Sequence, residues 1–462
     1  MRPLPACLAV VLLAGCAGPR PPAPSTAVVS PPTQWRTPPD PGAAVEAGWW
    51  ASFGDPALSA VVETALARNT DIAIAATRVE EARAQFQLAQ AQRLPNLTGA
   101  AGGGRQRNVS PFGQPQEQTN GQAQLSIGYD LDLFGRLANA SEAAQASLLA
   151  TEAGRDSVRL AVAATAASGY INLRALDARL DVLRRTLEAR AQTLHLTRRR
   201  AEAGYGTQLD LRQAEADYHG AEQLIPAAEA AIARQENGLA VLLGDNPRAI
   251  ARGRDLGDLA APQVPAGLPA NLLRRRPDLA QAEQQLVAAD RSLDAARAAF
   301  MPSIQLTASG GYVASTLLDD PIGVFSIGGS VLAPIFDSGR LQAQQGIAAA
   351  RRDQAAFAYR RAALGAFREV DDALTTERRS AEQAAALAAQ HRALAQALAL
   401  ATNRYKEGYS PLFEQLDIQR LLLTADLTLV QVEADRLTAA VSLFQALGGG
   451  WTAPAGSSAP AT

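Results

Sequence analysis

The chain has two cysteines, three histidines and a single lysine, Lys406, among 462 residues. Cys7 lies inside the first apolar run, which leaves only Cys16 beyond it. A compartment that permits disulfides would therefore find no pair to oxidise. His195, His219 and His391 show no partner of ligand character three or four positions away, and the acidic residues are scattered along amphipathic stretches. A hydrolase or metal site needs a cluster, so the chain is expected to be no enzyme and to hold no metal. Gly102-Gly103-Gly104 follows no phosphate-loop pattern. Aromatic residues make up 5% of the chain, the net charge is −2 and there is no basic run, which excludes a nucleic-acid footprint. The excess of arginine over lysine suggests a GC-rich coding bias, and this weakens any argument from alanine content alone.

Met1-Arg2 is followed by an apolar run from Leu4 to Leu13, far too short to span a bilayer as a mature helix, and then by Leu13-Ala14-Gly15-Cys16. The order predicts a cleaved export signal over 1–15, and its last four residues resemble a bacterial lipobox. That resemblance implies S-diacylglycerol and N-palmitoyl groups on Cys16, with no other cofactor. Ala17, rather than an aspartate, follows the cysteine, which fits an outer-membrane destination.

What the chain has in abundance is itself. Asp71 matches Asp278, Ala73 matches Ala280, Pro95 matches Pro302 and Gly103-Gly104 matches Gly310-Gly311, all about 207 positions apart. A spacing of about 204 then holds through Arg200/Arg404, Gly204/Gly408, Tyr205/Tyr409, Leu239/Leu443 and Gly244/Gly448. A Pro-rich tether and equatorial segment, 16–55, precedes the first repeat, 56–244, and Trp35, Trp49, Trp50 and Phe53 are expected to pin it to the folded body. A linker, 245–270, a second repeat, 271–448, and a tail, 449–462, complete the chain.

Within each repeat the period of the pattern changes. Ala123, Leu125, Ile127, Tyr129, Leu131 and Leu133 alternate with polar or small residues. In the second copy Ile304, Leu306, Ala308, Gly310 and Tyr312 do the same, as do Phe325, Ile327, Gly329, Val331, Ala333 and Ile335. These predict strand pairs at 95–107 with 122–133 and at 303–314 with 323–335, of transmembrane-barrel type. Hairpin loops are expected near 108–121 and 315–323. Four strands cannot close a barrel, and an open edge in lipid costs several kcal/mol for each unpaired backbone group, so closure must come from other chains. A dimer and a trimer would both give an even strand number.

Long helices are expected over 137–203 and 341–407, stretches without proline and about 100 Å long at 1.5 Å per residue. Each stops at a glycine turn, and helices over 207–244 and 411–448 return.

Phe53-Gly54-Asp55-Pro56, Asp130-Leu131-Asp132-Leu133-Phe134-Gly135-Arg136, Leu272-Leu273-Arg274-Arg275-Arg276-Pro277-Asp278, Leu416-Asp417-Ile418-Gln419-Arg420 and Ala446-Leu447-Gly448-Gly449-Gly450-Trp451 make the chain recognisable. It resembles the TolC-type outer-membrane channel lipoproteins of tripartite efflux pumps, and more narrowly their OprM/NodT branch. The resemblance implies a mainly α fold with a membrane β contribution. Three chains would form one twelve-stranded barrel in the outer membrane, continued by a periplasmic α-helical barrel. Its implied partners are two further copies of the chain, outer-membrane lipid, a periplasmic adaptor and an inner-membrane transporter of the RND type.

The resemblance also implies site residues. The periplasmic gate falls on Phe413, where a leucine is usual, and on Asp417 one turn later; the plainer alternative for Asp417 is an ion pair with Arg420. Gln213 stands where the first copy would place Asp417. The adaptor-docking tips are Gly204, Tyr205 and Thr207 in one turn and Gly408, Tyr409 and Ser410 in the other, with Pro411 at the position of the Thr207 hydroxyl. The implied function is passive conduction of drugs or other small molecules to the exterior. Protein export by a type I system is the alternative within the class, and an adaptor-like lipoprotein the alternative outside it.

Overall fold

A computed structural model describes residues 19–38, 45–262, 264, 266–267, 269–316 and 318–453. In chain order it has α1 (Pro56–Arg68), α2 (Thr70–Ala91), β1 (Asn96–Val109), β2 (Pro115–Leu131), α3 (Arg136–Glu202), α4 (Gln208–Glu222), α5 (Leu224–Leu242), a short α6 (Pro269–Leu272), α7 (Pro277–Ala298), β3 (Ser303–Ser315), β4 (Ile322–Leu332), α8 (Arg340–Lys406) and α9 (Leu412–Ala446). None of the described helices is long and apolar enough to cross a membrane. Two compact units divide these elements, and each draws on both repeats.

The first unit holds Arg78–Glu152 and Gln281–Arg361 with the described part of Met1–Val29. Its centre is one antiparallel sheet in the order β1-β2-β3-β4, so the two hairpins pair through β2 and β3. The register aligns the alternating residues. Leu97, Ile127, Ala308 and Ile327 form one row, and Gly99, Leu125, Gly310 and Phe325 form the next. Because directly opposed residues share a face, one side of the sheet is apolar across all four strands. The other side carries Thr98, Ser126, Ser309 and Ser326 in a row, with the Thr98 and Ser126 hydroxyls 2.7 Å apart.

Two strand bounds differ from expectation by three residues or more, and the others by at most two. β2 begins at Pro115, so the first loop is five residues, 110–114, instead of 108–121. Gln116–Asn120 has no apolar alternation to reveal it; pairing with Gly104–Asn108 and an ion pair between Arg105 and Glu117 hold it. β4 ends at Leu332, because Pro334 has no N–H to continue the ladder, and Ala333 and Ile335 fall beyond it. Below the sheet, Asp132 accepts the Ala138 amide at 2.6 Å and Asp337 accepts the Leu341 amide at 2.9 Å, starting the two long helices. The segment near Arg20 is extended, as expected, but it is held rather than free. Arg20 pairs with Asp290, and the buried Arg352 donates to the Pro21 and Pro22 carbonyls at 3.2 and 2.9 Å.

The second unit comprises the described residues of Ser30–Thr77, Ala153–Ala280 and Ala362–Thr462. The return helix of the first repeat, expected as one rod over 207–244, is broken at Gln223 into α4 and α5. Pro226 lacks an N–H and its ring opposes the carbonyl four residues back; the matching residue in the unbroken α9 is Val430. The repeat is visible in the joints. Asn69 Nδ2 donates to the Leu242 carbonyl at 2.9 Å, and at the matching joint Arg276 donates to the Ala446 carbonyl at 2.9 Å. Arg276 also pairs with Asp278 and Glu369 at 2.7 and 2.8 Å; those partners raise its pKa against the opposing effect of burial.

A belt of aromatic and polar contacts surrounds these joints. Trp49 stacks on Phe444 with centroids 4.9 Å apart, Phe53 is fully buried and Trp50 is half-buried. Trp35 donates to the Gly267 carbonyl at 2.8 Å, and Trp451 donates to Asp156 at 3.0 Å. Arg174, almost fully buried, fastens the linker through the Arg254 carbonyl and Asp255 at 2.8 and 2.6 Å.

Candidate functional site

At the first turn α3 ends in Gly204, whose φ of 79° is a conformation that disfavours a side chain. The Tyr205 and Gly206 amides both donate to the Arg200 carbonyl, at 2.8 and 3.0 Å, closing the helix end. Thr207 then opens α4 through a capping box: its hydroxyl accepts the Asp210 amide at 3.0 Å and donates to Asp210 Oδ2 at 2.7 Å. The second turn copies the first half of this design. Gly408 has φ 80° and the Tyr409 amide donates to the Arg404 carbonyl at 2.8 Å. It does not copy the second half, because Pro411 supplies no side-chain cap to α9.

The hydroxyls differ accordingly. Thr207 is exposed but its oxygen is engaged by Asp210, whereas the Ser410 oxygen is buried and meets no hydrogen-bond partner. Tyr205 and Tyr409, by contrast, are 89% and 78% exposed and project from the turns.

One residue ties the two turns together. Arg200 donates to the Tyr405 and Lys406 carbonyls at 3.0 and 2.6 Å, and its guanidinium lies 4.8 Å from the centre of the Tyr405 ring. It supplies a cation and two donors to the orphan carbonyls at the end of α8. Its match in the other copy, Arg404, has instead an ion pair with Glu414 at 3.8 Å. Leu194, Ala214, Tyr405 and Leu412 form the small core beneath. The sequence showed that the turns differ at Thr207 and Pro411 but contained no sign of this asymmetric tie.

Phe413 and Asp417 lie one turn apart on α9. Phe413 is 66% exposed, and so is Leu209, its match in the first copy, which sequence reasoning passed over. Asp417 is half-buried and accepts from Arg420, the ion pair weighed as the plainer alternative. On the inward face Gln415 and Gln419 donate to the Thr193 hydroxyl of α3 at 3.2 and 3.4 Å. The Leu-Asp-x-Gln-Arg motif thus divides its polar residues, with Gln419 holding the helix and Asp417 outside that contact. Asp217 on α4 faces Arg190 at 3.0 Å; burial pushes its carboxyl up, opposed by the charges of Arg190 and Arg420.

Two histidines find partners that the sequence did not reveal. His219 pairs with Glu222 at 2.8 Å, three positions on along the same helix, and His391 pairs with Asp426 at 2.8 Å across two helices. The first corrects the expectation that no histidine has a helical neighbour of this kind; the second is a tertiary contact. No group of three or more His, Cys, Asp or Glu among the described residues could hold a metal ion. Cys16 lies outside the described residues.

Residues 61–245 and 268–449 match the family described as outer membrane efflux protein. The solvent efflux pump outer membrane protein SrpC of Pseudomonas putida is 36% identical over 410 residues, covering 87% of each chain. Among solved structures, CusC superposes with a TM-score of 0.83 at 31% identity, over 93% of this chain and 99% of that one. The outer-membrane channel OprN does so with a TM-score of 0.86 at 28% identity, over 94% and 100%. With both repeats matched in sequence and the fold matched along nearly its whole length, the chain belongs to the outer membrane efflux protein family.

Proposed function

We propose that the chain is the outer-membrane exit duct of a tripartite efflux pump. It assembles as a homotrimer, receives small molecules from an inner-membrane RND-type transporter through a periplasmic adaptor, and conducts them passively to the exterior. The observation that carries the proposal is the sheet. Its apolar face, its opposite polar face and the two edges left unpaired within one chain suit a segment of a larger barrel around a polar bore. With four strands from each of three copies, every edge in lipid is closed.

Tyr205 and Tyr409, held out by Gly204 and Gly408, would meet the adaptor, flanked by Thr207 and Ser410. The engaged hydroxyl of Thr207 and the buried one of Ser410 favour contact through the rings and the turn backbone. Phe413 and Asp417 would form stacked apolar and carboxylate rings at the closable end. The transporter would select the cargo; the relatives named here are described for solvent and cation efflux.

The test is biochemical. Purified protein is expected to run as a heat-resistant trimer and to give single-channel conductance in a planar bilayer. A monomer without conductance would overturn the proposal, and an adaptor and pump encoded beside the gene would support the assigned partners.

A further inference from the structure

The apolar face of the sheet ends in a charged row. Along β2 it runs from Leu131, opposite Ile304, to Gly121, opposite Ala314 on one side and Gly103 on the other. Ten residues at about 3.3 Å each span about 33 Å, or roughly 25 Å of membrane at the tilt of barrel strands, which is the height of an outer-membrane apolar band. The first hairpin continues past this level. Its next two rows on the same face are Arg105 opposite Thr119 and Arg107 opposite Glu117.

These side chains are open to solvent, Arg105 at 74%, Arg107 at 67% and Glu117 at 48%. Glu117 pairs with Arg105 and lies 3.9 Å from Arg107, so two guanidinium groups share one carboxylate and the row keeps a net positive charge. Other acidic groups at this end are Asp319 and Asp320, in the turn that joins β3 to β4. A basic row on the lipid-facing side, directly above the apolar band and at the end away from the helices, stands at headgroup level of the outer leaflet. That leaflet of a bacterial outer membrane presents a phosphorylated glycolipid, and a guanidinium matches a phosphate with two parallel hydrogen bonds.

We propose that Arg105 and Arg107 bind the phosphate groups of the outer-leaflet glycolipid, fixing the height of the barrel in the membrane; this rests on the barrel assignment above. Each guanidinium near an anionic surface contributes about fivefold in affinity, so the pair contributes about twenty-fivefold, less at high salt.

The experiment uses the full-length trimer in nanodiscs of phosphatidylethanolamine containing bisphosphorylated lipid A or its dephosphorylated form, with retained lipid counted by native mass spectrometry. The wild type is expected to retain the phosphorylated form preferentially, Arg105→Gln with Arg107→Gln to weaken it about twenty-fivefold, and Glu117→Gln to strengthen it. Trimer and conductance are expected to be unchanged in all of them. Equal retention by the double variant, or equal retention of dephosphorylated lipid, would overturn the inference. So would loss of the trimer in the arginine double variant, matched by the same loss in Asp319→Asn with Asp320→Asn, since the arginines would then pair with a neighbouring copy. Failure of the wild type to form a conducting trimer would refute the channel proposal instead.

Discussion

The Tyr170 hydroxyl donates to Asp55 Oδ2 at 2.9 Å and accepts the Gly253 amide at 2.8 Å, joining the N-terminal belt segment, the long helix and the linker at one buried oxygen. Asp55 also accepts the Ala57 amide at 2.8 Å and the Arg254 amide at 3.1 Å, so its carboxylate caps α1 and fastens the linker together. A Cβ on Gly253 would stand 2.1 Å from Asp55 Oδ1, which leaves glycine the residue that fits there.

Burial, followed by the Asp55 hydrogen bond and charge, pushes the Tyr170 hydroxyl up to about 12, against the lowering effect of the Gly253 amide and Arg174. The unfolded chain loses this proton near pH 10 while the folded one keeps it, so the stabilisation is complete below pH 10 and is lost as pH rises towards about 12. The loss is about 2–3 kcal/mol at most. Tyr170→Phe is expected to remove this alkaline component and to cost about 1–3 kcal/mol at neutral pH, because the Gly253 amide and Asp55 each lose a partner. Thermal unfolding from pH 7 to 12 measures both; an unchanged alkaline slope in the variant would exclude Tyr170 as its source.

Gly448 and Gly408 both have positive φ, 89° and 80°, but their surroundings differ. A Cβ at Gly448 would lie 1.9 Å from the Arg275 carbonyl, whereas one at Gly408 would meet nothing within 4 Å. Gly408→Ala is therefore expected to cost about 1–2 kcal/mol, the backbone strain alone. Gly448→Ala must also displace the joint held by Arg276 and is expected to cost several-fold more, read as loss of heat-resistant trimer. Equal effects would mean that the close approach at Gly448 is relieved at no cost.

At the turns, Asp417→Ala and Phe413→Ala are expected to raise conductance and to admit antibiotics and vancomycin into cells. Arg420→Ala separates the proposed gate role of Asp417 from its ion pair. As an exposed pair Asp417–Arg420 contributes at most about 1 kcal/mol, so loss of either partner would be equally mild if pairing were its whole role. Conductance unchanged in Asp417→Ala would assign Asp417 to the surface ion pair.

Much of this was legible in the amino-acid order. The spacing of about 207 and then 204 located both strand pairs and both long helices, because alternation and the absence of proline act residue by residue. The segment Gln116–Asn120 was not legible, since a strand without an apolar face shows no period and is held by its neighbour's backbone. The break at Gln223 had a local cause in Pro226, present in the sequence but overlooked against the pull of the repeat. Leu209 could have been found by the same repeat, as the match of Phe413.

The turns show where local pattern stops. Glycine and tyrosine recur at fixed positions, so the existence and place of both turns follow from backbone preferences that each stretch carries alone. That Arg200 caps the other hairpin while its twin Arg404 does not, and that the Ser410 hydroxyl is buried while Tyr409 projects, depend on which surfaces meet in three dimensions. The same holds for Asn69 and Arg276, unlike residues that reach equivalent carbonyls at 2.9 Å. A repeat specifies equivalent elements, but equivalent positions meet different partners in the folded chain, and that inequality of surroundings is set by packing.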